Sequence, residues 1–130
     1  MDAAVQEWLE IARDDLGVAR ILLEKDKCVY AVFMCQQSVE KTIKALYQQR
    51  FIAVPPRKHD LIRLADEAGV LDACSDRQRT FLSTLTEFYI EVRYPGDRLK
   101  LGAVCNREFA ETLLTSTEEM IEWLESQLRE

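Results

Sequence analysis

Apolar residues recur at steps of three and four through residues 3–25, where Val5, Trp8, Leu9, Ala12, Leu16, Ala19 and Leu23 share one face. That period predicts a first helix, with Asp2 as a candidate cap and Lys25-Asp26-Lys27 interrupting the pattern. A second helix is expected from about Val29 to Arg50, with a stripe of Tyr30, Phe33, Met34, Val39, Ile43, Leu46 and Tyr47. Its opening turns, Cys28 to Cys35, are apolar almost all round, which places them between other helices. Val54-Pro55-Pro56 ends it, because proline disfavours the α conformation in the residue before it. A short third helix runs from His59 or Asp60 to Ala68, with Leu61, Leu64 and Ala65 inward and Gly69 as a stop. Ser75 or Asp76 caps a fourth, striped by Phe81, Leu85, Phe88 and Val92 and closed by Tyr94-Pro95-Gly96-Asp97. Pro95 to Cys105 reads as a loop long enough to invite a functional role. The last helix spans Asn106 to Arg129 and buries Phe109, Leu113, Met120, Ile121, Leu124 and Leu128. With no strand pattern and no repeat, the prediction is one all-α domain over residues 1–130. Its expected form is an antiparallel up-down bundle of four long helices plus one short one.

The chain has 130 residues, of which only four are glycine and three proline, consistent with long helices rather than turn-rich β-structure. Its net charge of −6 argues against general coating of polyanions. The charge is uneven: residues 106–130 carry seven glutamates against two arginines, and residues 41–63 carry six cations against Asp60. Two electrostatic faces are one reading of this asymmetry, and two ordinary solvated surfaces the other. The cysteines at 28, 35, 74 and 105 form no C-x-x-C pair, so neither a zinc site nor a disulfide framework is expected. No apolar run is long enough to span a bilayer and no signal peptide is visible, so the expected compartment is a reducing cytoplasm.

Common catalytic patterns lose support. A single histidine, His59, excludes a di-iron bundle built on Glu-x-x-His pairs. No nucleophile elbow and no glycine-rich phosphate loop is present. Three polar groups remain. In Gln36-Gln37-x-x-Glu40-Lys41-x-x-Lys44, Gln37, Lys41 and Lys44 project from one side of the second helix. Gln36 and Glu40 form a row nearer its apolar face. His59, beside a helix start, suits a hydrogen bond to the Pro55-Pro56 turn. Arg93 falls near a helix C-terminus, where the macrodipole favours a cation. It can also offer a planar fork to phosphate, with Arg98 across the turn converging on the same point.

Taken in order, Ala31-x-Phe33-x-x-Gln36-Gln37-x-x-Glu40-Lys41-x-x-Lys44, His59-Asp60-Leu61-x-x-Leu64 and Tyr89-x-x-x-Arg93-Tyr94-Pro95 resemble the HEPN family across the whole chain. The resemblance implies a bundle of four or five helices, often a homodimer, and frequently encoded beside a minimal nucleotidyltransferase. Several branches are metal-independent ribonucleases, many of them toxins of toxin-antitoxin or defence systems. Those branches place a histidine after an arginine with four to six residues between them. Here Arg93 matches the arginine, but Arg98, Leu99 and Lys100 stand where the histidine belongs. A tyrosine modified by the partner transferase in another branch also has no match. The resulting expectation is binding of a nucleotide or RNA phosphate by Arg93, Tyr94 and Arg98. Lys41 and Lys44 would add positive potential, with Glu40 and Gln37 orienting and Glu40 turned toward Arg93. No cofactor and no metal is expected. One alternative is a ribonuclease using Arg93 with a displaced His59. Another is an interaction module, in which the acidic last helix binds a basic partner and Arg93 completes a core ion pair with Glu40.

Overall fold

The computed structural model describes residues 2–128, and within them every regular element is helical. Asp2 caps α1 (Ala3–Glu24), accepting from the Ala4 amide at 3.0 Å. Its buried stripe is the expected one, with Trp8 half-buried at the edge. A three-residue turn leads into α2 (Cys28–Phe51), which packs against every other helix of the fold. Burial on α2 therefore extends well past the opening turns and takes in Gln36, Ser38, Glu40, Thr42 and Lys44. Tyr30, assigned to the apolar stripe by spacing, instead stands 53% exposed.

Asp60 caps α3 (Leu61–Glu67) by accepting from the amides of Ile62 and Arg63. Gly69 then turns the chain at φ +78°, a conformation glycine adopts without steric penalty. A single 3-10 turn (Leu71–Ala73) precedes α4 (Asp76–Glu91), which starts with a capping box between Ser75 and Gln78. The buried face of α4 is centred on Leu82, Leu85, Phe88 and Tyr89, while Phe81 and Val92 of the expected stripe are only partly covered.

The segment expected as a long loop is a helix, α5 (Pro95–Val104). Among the described residues the fold thus has six α-helices rather than five. Pro95 occupies the first turn, where its missing N–H costs nothing and its fixed φ suits the helix. Asn106 caps α6 (Arg107–Ser126), which buries Ala110, Leu113, Thr117, Met120, Ile121 and Leu124. The expected end of this helix at Arg129 lies outside the described residues. Arg13 and Arg20 of α1 pair with Glu125 and Glu118, so α1 and α6 run antiparallel. Part of the acidic charge of α6 is engaged in these two pairs.

Candidate functional site

The polar residues of α2 build inward from helical spacing. Gln36, Glu40 and Lys44 succeed one another at steps of four and so stack along one face, which the neighbouring helices cover. Glu40 is only 1% exposed and gathers four donors. Its Oε1 meets Gln36 Nε2 at 3.1 Å and His59 Nδ1 at 2.9 Å. Its Oε2 meets Lys44 Nζ at 3.2 Å and Lys41 Nζ at 3.4 Å. Gln37 extends the network, donating to Gln36 Oε1 and accepting from Lys41. Burial pushes the Glu40 carboxyl up, but the bonds from His59 and Gln36 and the charges of Lys41 and Lys44 outweigh it. The group is held below its ordinary value and stays ionised.

His59 arrives from the segment before α3. Gln36 Nε2 donates to its carbonyl oxygen at 3.2 Å, and the Asp60 cap fixes the chain immediately after it. The imidazole therefore bonds a carboxylate rather than the Pro55-Pro56 turn. Its ring lies 4.8 Å from that of Tyr89, which stacks on Phe33 at 5.5 Å.

Tyr89 is also where Arg93 arrives. The guanidinium carbon of Arg93 lies 4.2 Å from the ring centre, and its Nη2 donates to the phenol oxygen. Burial pushes the Tyr89 phenol up, so it stays protonated. The expected contact of Glu40 with Arg93 is not formed. Tyr89 meets Arg93 instead, and the Glu40 carboxylate is turned to His59. His59 and Arg93, far apart in sequence and without the usual spacing, thus abut one aromatic ring.

Arg98 sits one turn into α5 and lies 4.7 Å from the ring centre of Tyr30. Its hydrogen bond and charge draw that phenol below its ordinary value. Tyr30, Phe33, Val92, Arg93 and Arg98 line a cleft of about 200 Å³. Tyr94 is exposed at the α5 N-cap and is not among those lining residues. Tyr30 was missed as a site residue because its period matched the core. Its one sequence signal is an aromatic at the apolar edge of a helix start.

Most of the basic stretch is engaged within the fold. Lys41 and Lys44 serve Glu40, Arg50 donates to the Ala68 and Gly69 carbonyls, and Lys58 pairs with Glu67. The four cysteines are free thiols, and burial pushes Cys35 and Cys105 up to about 11. No helix among the described residues is long and apolar enough to cross a membrane.

The fold and this polar arrangement define a small all-helical domain with a buried acid–histidine network beside an arginine–tyrosine cleft. The HEPN domain model matches residues 5–127, nearly the whole chain, and the protein belongs to that family. Its fold is similar to the crystal structure of TT1696 from Thermus thermophilus, with a TM-score of 0.81 at 24% identity. The similarity covers 95% of this chain and 98% of that one. No curated protein matches the sequence.

Proposed function

We propose that the protein binds a nucleotide or RNA phosphate in the cleft between α2 and the α4–α5 corner, acting as one component of a module with a minimal nucleotidyltransferase. The observation that carries this reading is the pair of guanidinium groups, Arg93 and Arg98, lining one cleft with the rings of Tyr30 and Phe33. Guanidinium forks bind phosphate oxygens in pairs, and an exposed phenol offers a stacking face to a base. A cleft of about 200 Å³ is small for an enclosed nucleotide and suits the phosphate and one ring of an exposed strand. Lys41 and Lys44 act through Glu40 rather than by touching phosphate, and Tyr94 adds an exposed phenol next to Arg93 in the chain. The four long helices form the up-down frame that holds these parts, and the family resemblance supports the transferase partner, a homodimeric state and a cytoplasmic setting. The test is anisotropy of labelled single-stranded RNA at low salt, comparing wild type with Arg93→Ala and Arg98→Ala. Weakened but still measurable binding in both variants is expected; absence of affinity in the wild type refutes the reading.

A second reading, metal-independent RNA cleavage, has its own observation. The bond from His59 Nδ1 to buried Glu40 fixes the ring, and no described residue claims Nε2. Such a histidine is oriented as a general base toward a ribose hydroxyl, while Arg93 faces developing phosphate charge. Cleavage in EDTA that disappears in both His59→Ala and Arg93→Ala supports it, and an inert wild type with intact circular dichroism removes it.

A further inference from the structure

A second cleft lies at the far end of α4. Phe88 of α4 and Phe109 of α6 pack with ring centres 6.4 Å apart. Toward the start of α4 the two helices leave between them a cavity of about 530 Å³, within the usual range for small-molecule sites. Arg77 at this end is sixteen residues from Arg93, or about 24 Å along a helical rise, so the two clefts are separate.

The lining is chemically mixed in a particular way. Phe81, Met120 and Trp123 supply apolar surface, and Arg77 from α4 and Glu119 from α6 supply opposite charges. Neither charge forms an ion pair with any described residue, although six other cations of the fold do. The Ser75–Gln78 capping box fixes the α4 wall, and because Gln78 uses its carbonyl oxygen there, its amide N–H groups stay available to a ligand.

We propose that this cleft binds a small zwitterion with an apolar body, namely an α-amino acid bearing an aromatic or branched side chain. Its carboxylate meets Arg77, its ammonium meets Glu119, and its side chain packs on Phe81, Met120 and Trp123. Charge complementarity selects this occupant: the lining offers a guanidinium from one wall, a carboxylate from the other and apolar surface with them, and only a zwitterion with an apolar body uses all three.

Trp123 makes the proposal directly readable. The chain has two tryptophans, and the Trp8 indole is held elsewhere by Gln48 at 3.2 Å, so it serves as an internal reference. In nitrogen-15 NMR spectra, with the two indole signals assigned from Trp123→Phe, L-phenylalanine and L-leucine are titrated in turn. The expected result is a saturable shift of the Trp123 signal with Trp8 unmoved. Binding should weaken about tenfold or more in Arg77→Ala and Glu119→Gln, and equally for hydrocinnamate and phenethylamine, each lacking one charge. Both substituted positions are exposed, and an unmoved Trp8 signal reports that the variants remain folded. No saturable shift with either amino acid, equal movement of both indoles, or affinity unchanged by the two substitutions overturns the proposal.

Discussion

Glu40 sits where four donors meet, and two of them, Gln36 and Lys44, are buried with it. Lys44 suffers the loss of Glu40 most, because it is buried and that carboxylate is its counter-charge, with the Trp8 ring 5.6 Å away. Breaking one side of a buried pair costs about 3–5 kcal/mol, most of it the price of the orphaned charge. Glu40→Ala is therefore expected to lower the unfolding free energy by about that much in urea titrations, whereas a surface pair such as Arg20–Glu118 should lose less than about 1 kcal/mol. The pH dependence has a definite sign. The native carboxyl is held below its ordinary value, so its stabilisation is complete above the unfolded value of about 4.3. It fades as the pH falls through the lower native value. The stability gap between wild type and Glu40→Gln should accordingly be constant near neutrality and close in acid; a gap that widens in acid would contradict the network. The spacing Gln36, Glu40, Lys44 was legible in the sequence, but its burial was not. Helical period places residues on a face, and only the packing of the neighbouring helices decides whether that face is wet.

Element by element, glycine positions give two opposite expectations. Gly102 lies inside α5 with open space where a Cβ would project. Gly102→Ala should therefore stabilise by about 0.5–1 kcal/mol through reduced unfolded-state freedom. At Gly69 the φ of +78° and Arg50 Nη1 at 3.0 Å both oppose a side chain. Gly69→Ala should destabilise by about 1 kcal/mol or more, read as a fall in melting temperature of several degrees. The same physics explains why α5 escaped the sequence reading. It buries no residue, leaves Leu99 79% and Val104 64% exposed, and carries two glycines, so it shows no amphipathic stripe. Tyr94-Pro95-Gly96-Asp97 has the composition of a turn, yet proline is equally suited to open a helix. α1, α3 and α6, whose faces are buried and whose caps are Asp2, Asp60 and Asn106, were readable because stripe and cap agreed.

At the scale of the whole molecule, the proposed binding of a polyanion by a chain of net charge −6 requires a local positive field. Lys41, Lys44 and Lys58 are paired with carboxylates and Arg50 with backbone carbonyls, whereas Arg93 and Arg98, beside the small cleft, meet only neutral phenols in the contacts described above. Two phosphate contacts on a single strand release about 1.4 counterions, so the logarithm of the RNA association constant should fall with the logarithm of salt at a slope near −1.4. Arg93→Ala should halve that slope to about −0.7, because one contact is lost, while leaving the fold unchanged. A binding site spread over the 41–63 stretch would instead give a slope several times steeper and nearly indifferent to Arg93. Anisotropy titrations at four or five salt concentrations separate the two cases. They also bear on cleavage, since at subsaturating enzyme the rate follows the fraction of RNA bound. If His59 acts on that substrate, strand cleavage in EDTA should decline with salt in parallel with binding, and His59→Ala should abolish cleavage while leaving the slope near −1.4.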